Sequence, residues 1–160
     1  MSERECGTCT ACCEGWLRTP HIDMHPGKPC QHCTATGCAI YENRPTDPCR
    51  KFLCGWRQPD SPLPDNFRPD QSGVIVLLQQ KWGTWSVIRA VPAGERVPQK
   101  SLQWLERYAR SRKIPLLVKE YKLGEDGFVG VRTRAFATPE FAKAVRESGQ
   151  PSLDFKDDLS

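Results

Sequence analysis

The feature of this sequence that most limits its fold is the placement of cysteine. All nine cysteines lie between Cys6 and Cys54, and residues 55–160 contain none. Large apolar residues are sparse in the same stretch, and a segment of this size rarely folds on so small a core without metal ions or disulfides. The sequence therefore predicts two unlike parts: a loop-rich, metal-stabilised cysteine module at residues 1–57, and a conventionally folded region after it.

Metal ligation explains these cysteines better than disulfides do. The chain starts with the charged stretch Met1–Glu5, which lacks the basic start and apolar run of a secretory signal. No stretch approaches the roughly 18 apolar residues of a membrane span. Nine is an odd number, which leaves one thiol over in any complete set of disulfides. We therefore expect a cytoplasmic protein with reduced, metal-binding thiols and no membrane association.

The spacing of the cysteines is typical of metal sites. Cys6-Gly-Thr-Cys9-Thr-Ala-Cys12-Cys13 places three cysteines in series, and Cys30-Gln-His-Cys33 adds a separate pair. Two-residue spacing lets both sulfurs of a pair turn toward one ion. Separate pairs favour zinc and the serial triplet favours a 4Fe-4S iron–sulfur cluster, so the choice stays open with zinc slightly preferred. The candidate ligands are Cys6, Cys9, Cys12, Cys13, Cys30, Cys33, Cys38, Cys49 and Cys54.

The order of these motifs resembles that of a known family. Cys6–Cys13, followed by Cys38-Ala-Ile-Tyr-Glu-Asn-Arg-Pro45 and Cys49-Arg-Lys-Phe-Leu-Cys54, is similar to the bacterial cysteine-cluster proteins with the CxxCxxCC signature. Their shared region is described as a zinc- or iron-chelating domain, so the resemblance, over residues 6–57, implies metal binding without naming a reaction. It implies one ligand from Cys30 or Cys33, besides Cys6, Cys9, Cys12, Cys13, Cys38, Cys49 and Cys54. Having both Cys30 and Cys33 departs from the commoner pattern.

Two arginines close to the cysteines are candidates for binding the cofactor. A site of four thiolates around zinc, or around an oxidised four-iron cluster, carries net negative charge. Arg44 and Arg50 lie where they could offset this charge and donate hydrogen bonds to sulfur. We therefore predict them as cofactor-binding residues.

Two further functions fit parts of the sequence. His21, Asp23 and His25 share one side of an extended segment, and two histidines with a carboxylate can form the facial triad of an iron-dependent enzyme. The basic run Arg107–Lys113, beside a zinc module, would suit a nucleic-acid-binding protein, although cations are favoured at any helix C-terminus. No motif names a reaction, so the partner beyond the metal ion is predicted only as a protein or a small molecule.

The rest of the chain predicts an α+β fold. A connector rich in proline and aspartate, expected to be extended, covers residues 58–72, and a small α+β region with two hairpins and two helices covers residues 73–148. A polar, flexible tail is expected at residues 149–160.

The predicted order of elements in residues 73–148 is strand, strand, helix, strand, strand, helix. The apolar runs Val74–Leu78 and Trp85–Val91 are expected to form a hairpin that turns at Lys81–Gly83. Apolar periodicity predicts a helix from Pro98 to Lys113. The second hairpin is expected from Leu116–Tyr121 and Phe128–Arg132, before a short helix whose N-cap is Thr138.

Overall fold

The structure, a computed structural model, describes Arg4, residues 9–16, residues 23–44, Cys49, and residues 53–125, 127–148 and 154–158. The fold is α+β, as predicted. A small sheet consists of β1 (Cys33–Thr34) and β2 (Gly37–Cys38). The main sheet consists of β3 (Val74–Trp82), β4 (Trp85–Pro92), β5 (Leu116–Gly124), β6 (Gly127–Ala137) and β7 (Asp154–Asp158). The α-helices are α1 (Pro69–Ser72), α2 (Gln99–Arg112) and α3 (Pro139–Ser148).

The strands of the main sheet follow one another in chain order. The pairs β3/β4 and β5/β6 are antiparallel hairpins, and the β4/β5 and β6/β7 pairs are parallel. A parallel pair needs a long crossover connection, which α2 supplies between β4 and β5. The predicted order of two hairpins and two helices is therefore confirmed.

Both faces of the main sheet are covered. Because consecutive residues of a strand point to opposite faces, neighbouring strand residues belong to two separate apolar clusters. The first cluster contains Ile88, Leu116 and Phe136, together with Leu102, Leu105 and Ala109 of α2. The second contains Val87, Leu117 and Ala135, together with Phe141 and Val145 of α3. Burial on both faces explains why the strands contain continuous apolar runs.

The first hairpin turns later than predicted. Trp82 pairs with Trp85, so the turn consists of Gly83 and Thr84 rather than Lys81–Gly83. A bulge between Leu77 and Gln80, with Gln79 at a φ of 57°, adds a residue to β3 and shifts its alternation. The apolar runs that predicted the hairpin give no sign of such a bulge.

The sequence predicted that the connector at residues 58–72 is extended, but the structure shows that parts of it are helical. Asp65–Phe67 forms a 3-10 turn, and α1 follows at once with a proline in its first turn. Leu63 and Phe67 are 2% and 5% exposed and belong to the first cluster. Their burial decides the local conformation, because proline at a first helical position is as favourable as proline in an extended segment.

Two further predictions concern the cap of α3 and the tail that contains β7. Phe141 N–H donates to Thr138 Oγ1 at 3.4 Å, which confirms Thr138 as the cap of α3. The predicted flexible tail did not include a strand, whereas Asp154–Asp158 pairs with β6. A strand with three aspartates and a lysine carries no sequence signal of its own, since these residues are depleted in strands.

Described parts of the cysteine-rich region pack against the main sheet. Trp16 is 7% exposed, and its ring lies 5.4 Å from that of Tyr121 and 4.7 Å from that of Phe128. Cys54 and Trp56 are buried in the first cluster. Arg4 donates to the carbonyl oxygens of Trp56 and Leu63 at 2.8 and 2.9 Å, which joins the start of the chain to the connector. The sequence did not predict this shared core.

A glycine, Gly127, allows the cysteine-rich region to approach the main sheet closely at one point. Phe128 N–H donates to Pro26 O at 2.9 Å, so the loop before the small sheet lies against the β5/β6 turn. A Cβ on Gly127 would lie 2.4 Å from Pro26 O, and Gly127 has a φ of 109°. Both the space and the backbone conformation at this position therefore require glycine.

We expect Gly127→Ala to lower the free energy of unfolding by about 1–3 kcal/mol, because the new methyl group is strained and meets backbone atoms. Gly94→Ala is the matched control, since nothing lies within 4 Å of a Cβ built there. Urea unfolding of the full chain measures both. Equal midpoints for the two variants would show that the loop does not hold this position in solution.

Candidate metal centre

Two of the candidate ligands face each other across the small sheet. Cys33 and Cys38 are directly opposite in the β1/β2 hairpin. The neighbouring pair is hydrogen-bonded, with Ala39 N–H donating to His32 O at 2.8 Å. Because such pairs alternate in an antiparallel ladder, Cys33 and Cys38 form a non-hydrogen-bonded pair, in which the side chains lie closest together on one face.

A third cysteine joins them through a tight turn. Cys33 N–H donates to Cys30 O at 2.9 Å, which closes the turn between the two members of this CxxC pair. His32 N–H points at the Cys30 sulfur, 3.5 Å away. Cys30, Cys33 and Cys38, which lie outside any disulfide and are all half-buried, are called the hairpin cysteines below.

Burial and neighbouring charges affect the acidity of Cys33. Burial raises the pKa of the Cys33 thiol, and the negative charges of Glu14, Cys30 and Cys38 raise it further. Without a counter-charge, Cys33 is therefore protonated at neutral pH, and a metal ion that binds its sulfur must displace a proton.

Glu14 is the residue near this site that sequence analysis missed. It lies in the turn Cys12–Trp16, which is kinked at Gly15, and accepts a hydrogen bond from Thr10 Oγ1 at 3.1 Å. Its position between Cys13 and Gly15 in the serial motif was the available signal, since a carboxylate oxygen is also a zinc ligand. Only the tertiary structure brings its charge to Cys33.

The other cysteines are described less completely. Cys9 and Cys12 pack against the first apolar cluster, and Cys54 is 6% exposed within it. Cys49 is half-buried. The backbone of Cys13 belongs to the turn Cys12–Trp16, but its side chain lies outside the described part of the chain, as do the whole of Cys6 and Arg50.

The donor chemistry suits a metal, although the side chains do not converge on one point. Among the residues that the structure describes, no group of three His, Cys, Asp or Glu side chains is arranged to hold a metal ion. The backbone nevertheless places three sulfur donors on one short hairpin.

Arg44 has contacts other than the predicted one with sulfur. Its Nε donates to Tyr41 O at 2.8 Å, and its guanidinium lies over the Tyr41 ring, 3.8 Å from the centroid. Both contacts are within its own segment, next to the 3-10 turn Tyr41–Asn43. A role for Arg44 at a cofactor stays a prediction.

The structure also describes residues of the predicted facial triad and of the predicted nucleic-acid-binding run. The Asp23 carboxylate pairs with Lys28, and the hydrogen bond and charge of Lys28 lower the pKa of Asp23. His25 Nδ1 lies 3.1 Å from Pro26 O. His21, the third member of the predicted triad, lies outside the described residues. In the predicted basic run, Arg107, Arg110 and Arg112 are exposed on α2, and the exposed Lys113 follows as its C-cap.

The chain matches no family model, no curated protein and no solved structure. Within the described residues, no helix is both long enough and apolar enough to span a membrane.

Proposed function

We propose that this protein binds a metal centre, zinc or an iron–sulfur cluster, through its clustered cysteines, and that the hairpin cysteines supply part of the ligand set. The observation that supports this most directly is the register of the small sheet. It makes Cys33 and Cys38 direct partners, and a tight turn joins Cys30 to Cys33.

Zinc is the first candidate for the hairpin. It takes sulfur, nitrogen and oxygen ligands and is almost always four-coordinate in structural sites. The hairpin cysteines would be three such ligands, and the fourth would come from the remaining candidate cysteines. A bound cation would also remove the repulsion among these negatively charged groups.

An iron–sulfur cluster is the alternative centre. Its ligands would include the serial cysteines Cys6, Cys9 and Cys12, because clusters are held by cysteines at such spacing. In either case the half-buried hairpin remains accessible to a protein or small-molecule partner, and the thiols would need the reducing conditions of a cytoplasm. Metal handling, redox sensing and protein modification are the processes that such a centre would serve.

The test is anaerobic purification of the full chain, followed by metal analysis and a visible spectrum. Colourless protein with stoichiometric zinc would support the zinc site. Brown protein with equal amounts of iron and acid-labile sulfide would support the cluster. Protein that contains neither, takes up neither zinc nor a reconstituted cluster, and keeps its fold with every thiol reactive would refute the proposal.

A further inference from the structure

We infer that Cys33 and Cys38 are a redox pair that a peroxide converts into a cross-strand disulfide, and that closure of this bond releases metal from the hairpin. The release rests on the proposed function, whereas formation of the bond does not. Oxidation would then regulate the same site that binds the metal.

The geometry of the small sheet carries this inference. In a non-hydrogen-bonded antiparallel pair the Cα atoms are about 4.5 Å apart, which is within the range that a disulfide spans. Cys33 and Cys38 occupy such a pair, because the adjacent His32–Ala39 pair is the hydrogen-bonded one. Thr34 Oγ1 donates to Gly37 O at 2.6 Å and holds the two strands together at the turn. The bond can therefore form without a large backbone movement.

Cys30 is the competing partner for Cys33, because a tight turn joins the two residues. Cys33 and Cys38, in contrast, are related by strand pairing, which sets both side chains on one face. Access is open on this side, since Ala35 and Thr36 at the tip of the hairpin are exposed.

The reaction balances with a peroxide as the oxidant. One thiolate of the pair attacks a peroxide oxygen, the O–O bond breaks, and water and a sulfenic acid form. The sulfur of the second cysteine then attacks the sulfenic sulfur, the S–O bond breaks, and a second water leaves as the S–S bond forms. In sum, two thiols and one hydrogen peroxide yield one disulfide and two waters.

Closure of the bond removes metal ligands. Thiolates, not disulfide sulfurs, are the species that bind zinc. A Cys33–Cys38 disulfide would leave Cys30 as the last sulfur ligand of the hairpin, so the ion would dissociate. Conversely, bound zinc would slow the oxidation because it occupies the lone pairs that attack the peroxide.

The experiment treats the full-length reduced chain with hydrogen peroxide in two forms, zinc-loaded and chelator-treated. Differential alkylation with tandem mass spectrometry locates the disulfide, and a chromophoric chelator reports released zinc. We expect a Cys33–Cys38 bond in both forms, more slowly in the zinc-loaded one, with zinc release in step with the bond. Cys30→Ser is the matched control, because it removes a neighbouring thiol and keeps the pair. Cys33→Ser should instead leave a sulfenic acid on Cys38, detected with a dimedone probe.

The outcomes separate this inference from the proposed function. A chain that binds zinc but forms mainly a Cys30–Cys33 bond, or no bond, would refute the redox pair and leave metal binding intact. A chain that forms the Cys33–Cys38 bond but never binds zinc or a cluster would keep the pair and refute metal release. Loss of the bond in Cys30→Ser would also count against the pair.

Discussion

Replacing Cys33 and Cys38 together with serine is expected to weaken zinc binding by the full chain by more than about 100-fold, beyond the effect typical of residues that only contact ligands. Both thiolates are removed from one hairpin face, and a serine hydroxyl stays protonated at neutral pH, so it does not replace a thiolate. The measurement is competition between the metal-depleted protein and a chromophoric chelator, under reducing conditions.

Thr36→Ser is the matched control for this variant. Thr36 is exposed at the tip of the same hairpin, and the substitution removes one methyl group and no sulfur. It should bind zinc as the unmodified chain does. Unchanged zinc affinity in the double variant, with the control behaving normally, would place the metal centre on the other cysteines and remove the hairpin from the ligand set.

Phe141→Ala is expected to lower the free energy of unfolding by about 3–5 kcal/mol. Phe141 is 0% exposed, and its ring makes edge-to-face contacts with Trp82 and Trp85, at centroid distances of 5.5 and 5.2 Å. Truncation removes these contacts and leaves a cavity between α3 and the β3/β4 hairpin. Because domains of this size are stable by only about 5–15 kcal/mol, the change is a large fraction of the total.

Denaturant unfolding and near-ultraviolet circular dichroism measure this effect, the latter through the tryptophan signals. Leu123→Ala is the control, since Leu123 is 61% exposed and its truncation should change stability by less than about 0.5 kcal/mol. If Phe141→Ala were no more destabilising than Leu123→Ala, α3 would not cover the second face of the sheet.

Local patterns were sufficient for much of the α+β region. The apolar residues of α2 recur at helical spacing, and the Thr138-Pro139 pair is a start signal that depends on neighbouring residues alone. The bulge at Gln79 and the parallel strand β7 were not predictable in this way. Each depends on a partner strand, and neither the residue at the bulge nor the polar residues of β7 carry a propensity for what they form.

The candidate site also combines features that local sequence predicts with features that depend on tertiary contacts. Two-residue spacing predicted Cys30 and Cys33 as sulfur donors, because this interval is a local property, and Cys38 was predicted as a member of the same cysteine cluster. Which of them face one another follows from hairpin register, and the approach of Glu14 follows from the packing of the segment that contains it.

The sequence by itself determined that the thiol groups of this protein are confined to about its first third. It also determined the helices and hairpins whose signals are local. Only the tertiary structure decided that Cys33 lies opposite Cys38 and that Trp16 packs in the core of the main sheet. It also decided that the backbone at Pro26 packs closely against Gly127. The physical reason is that these contacts join residues through strand register and close packing, whose energies depend on three-dimensional neighbours rather than on adjacent residues.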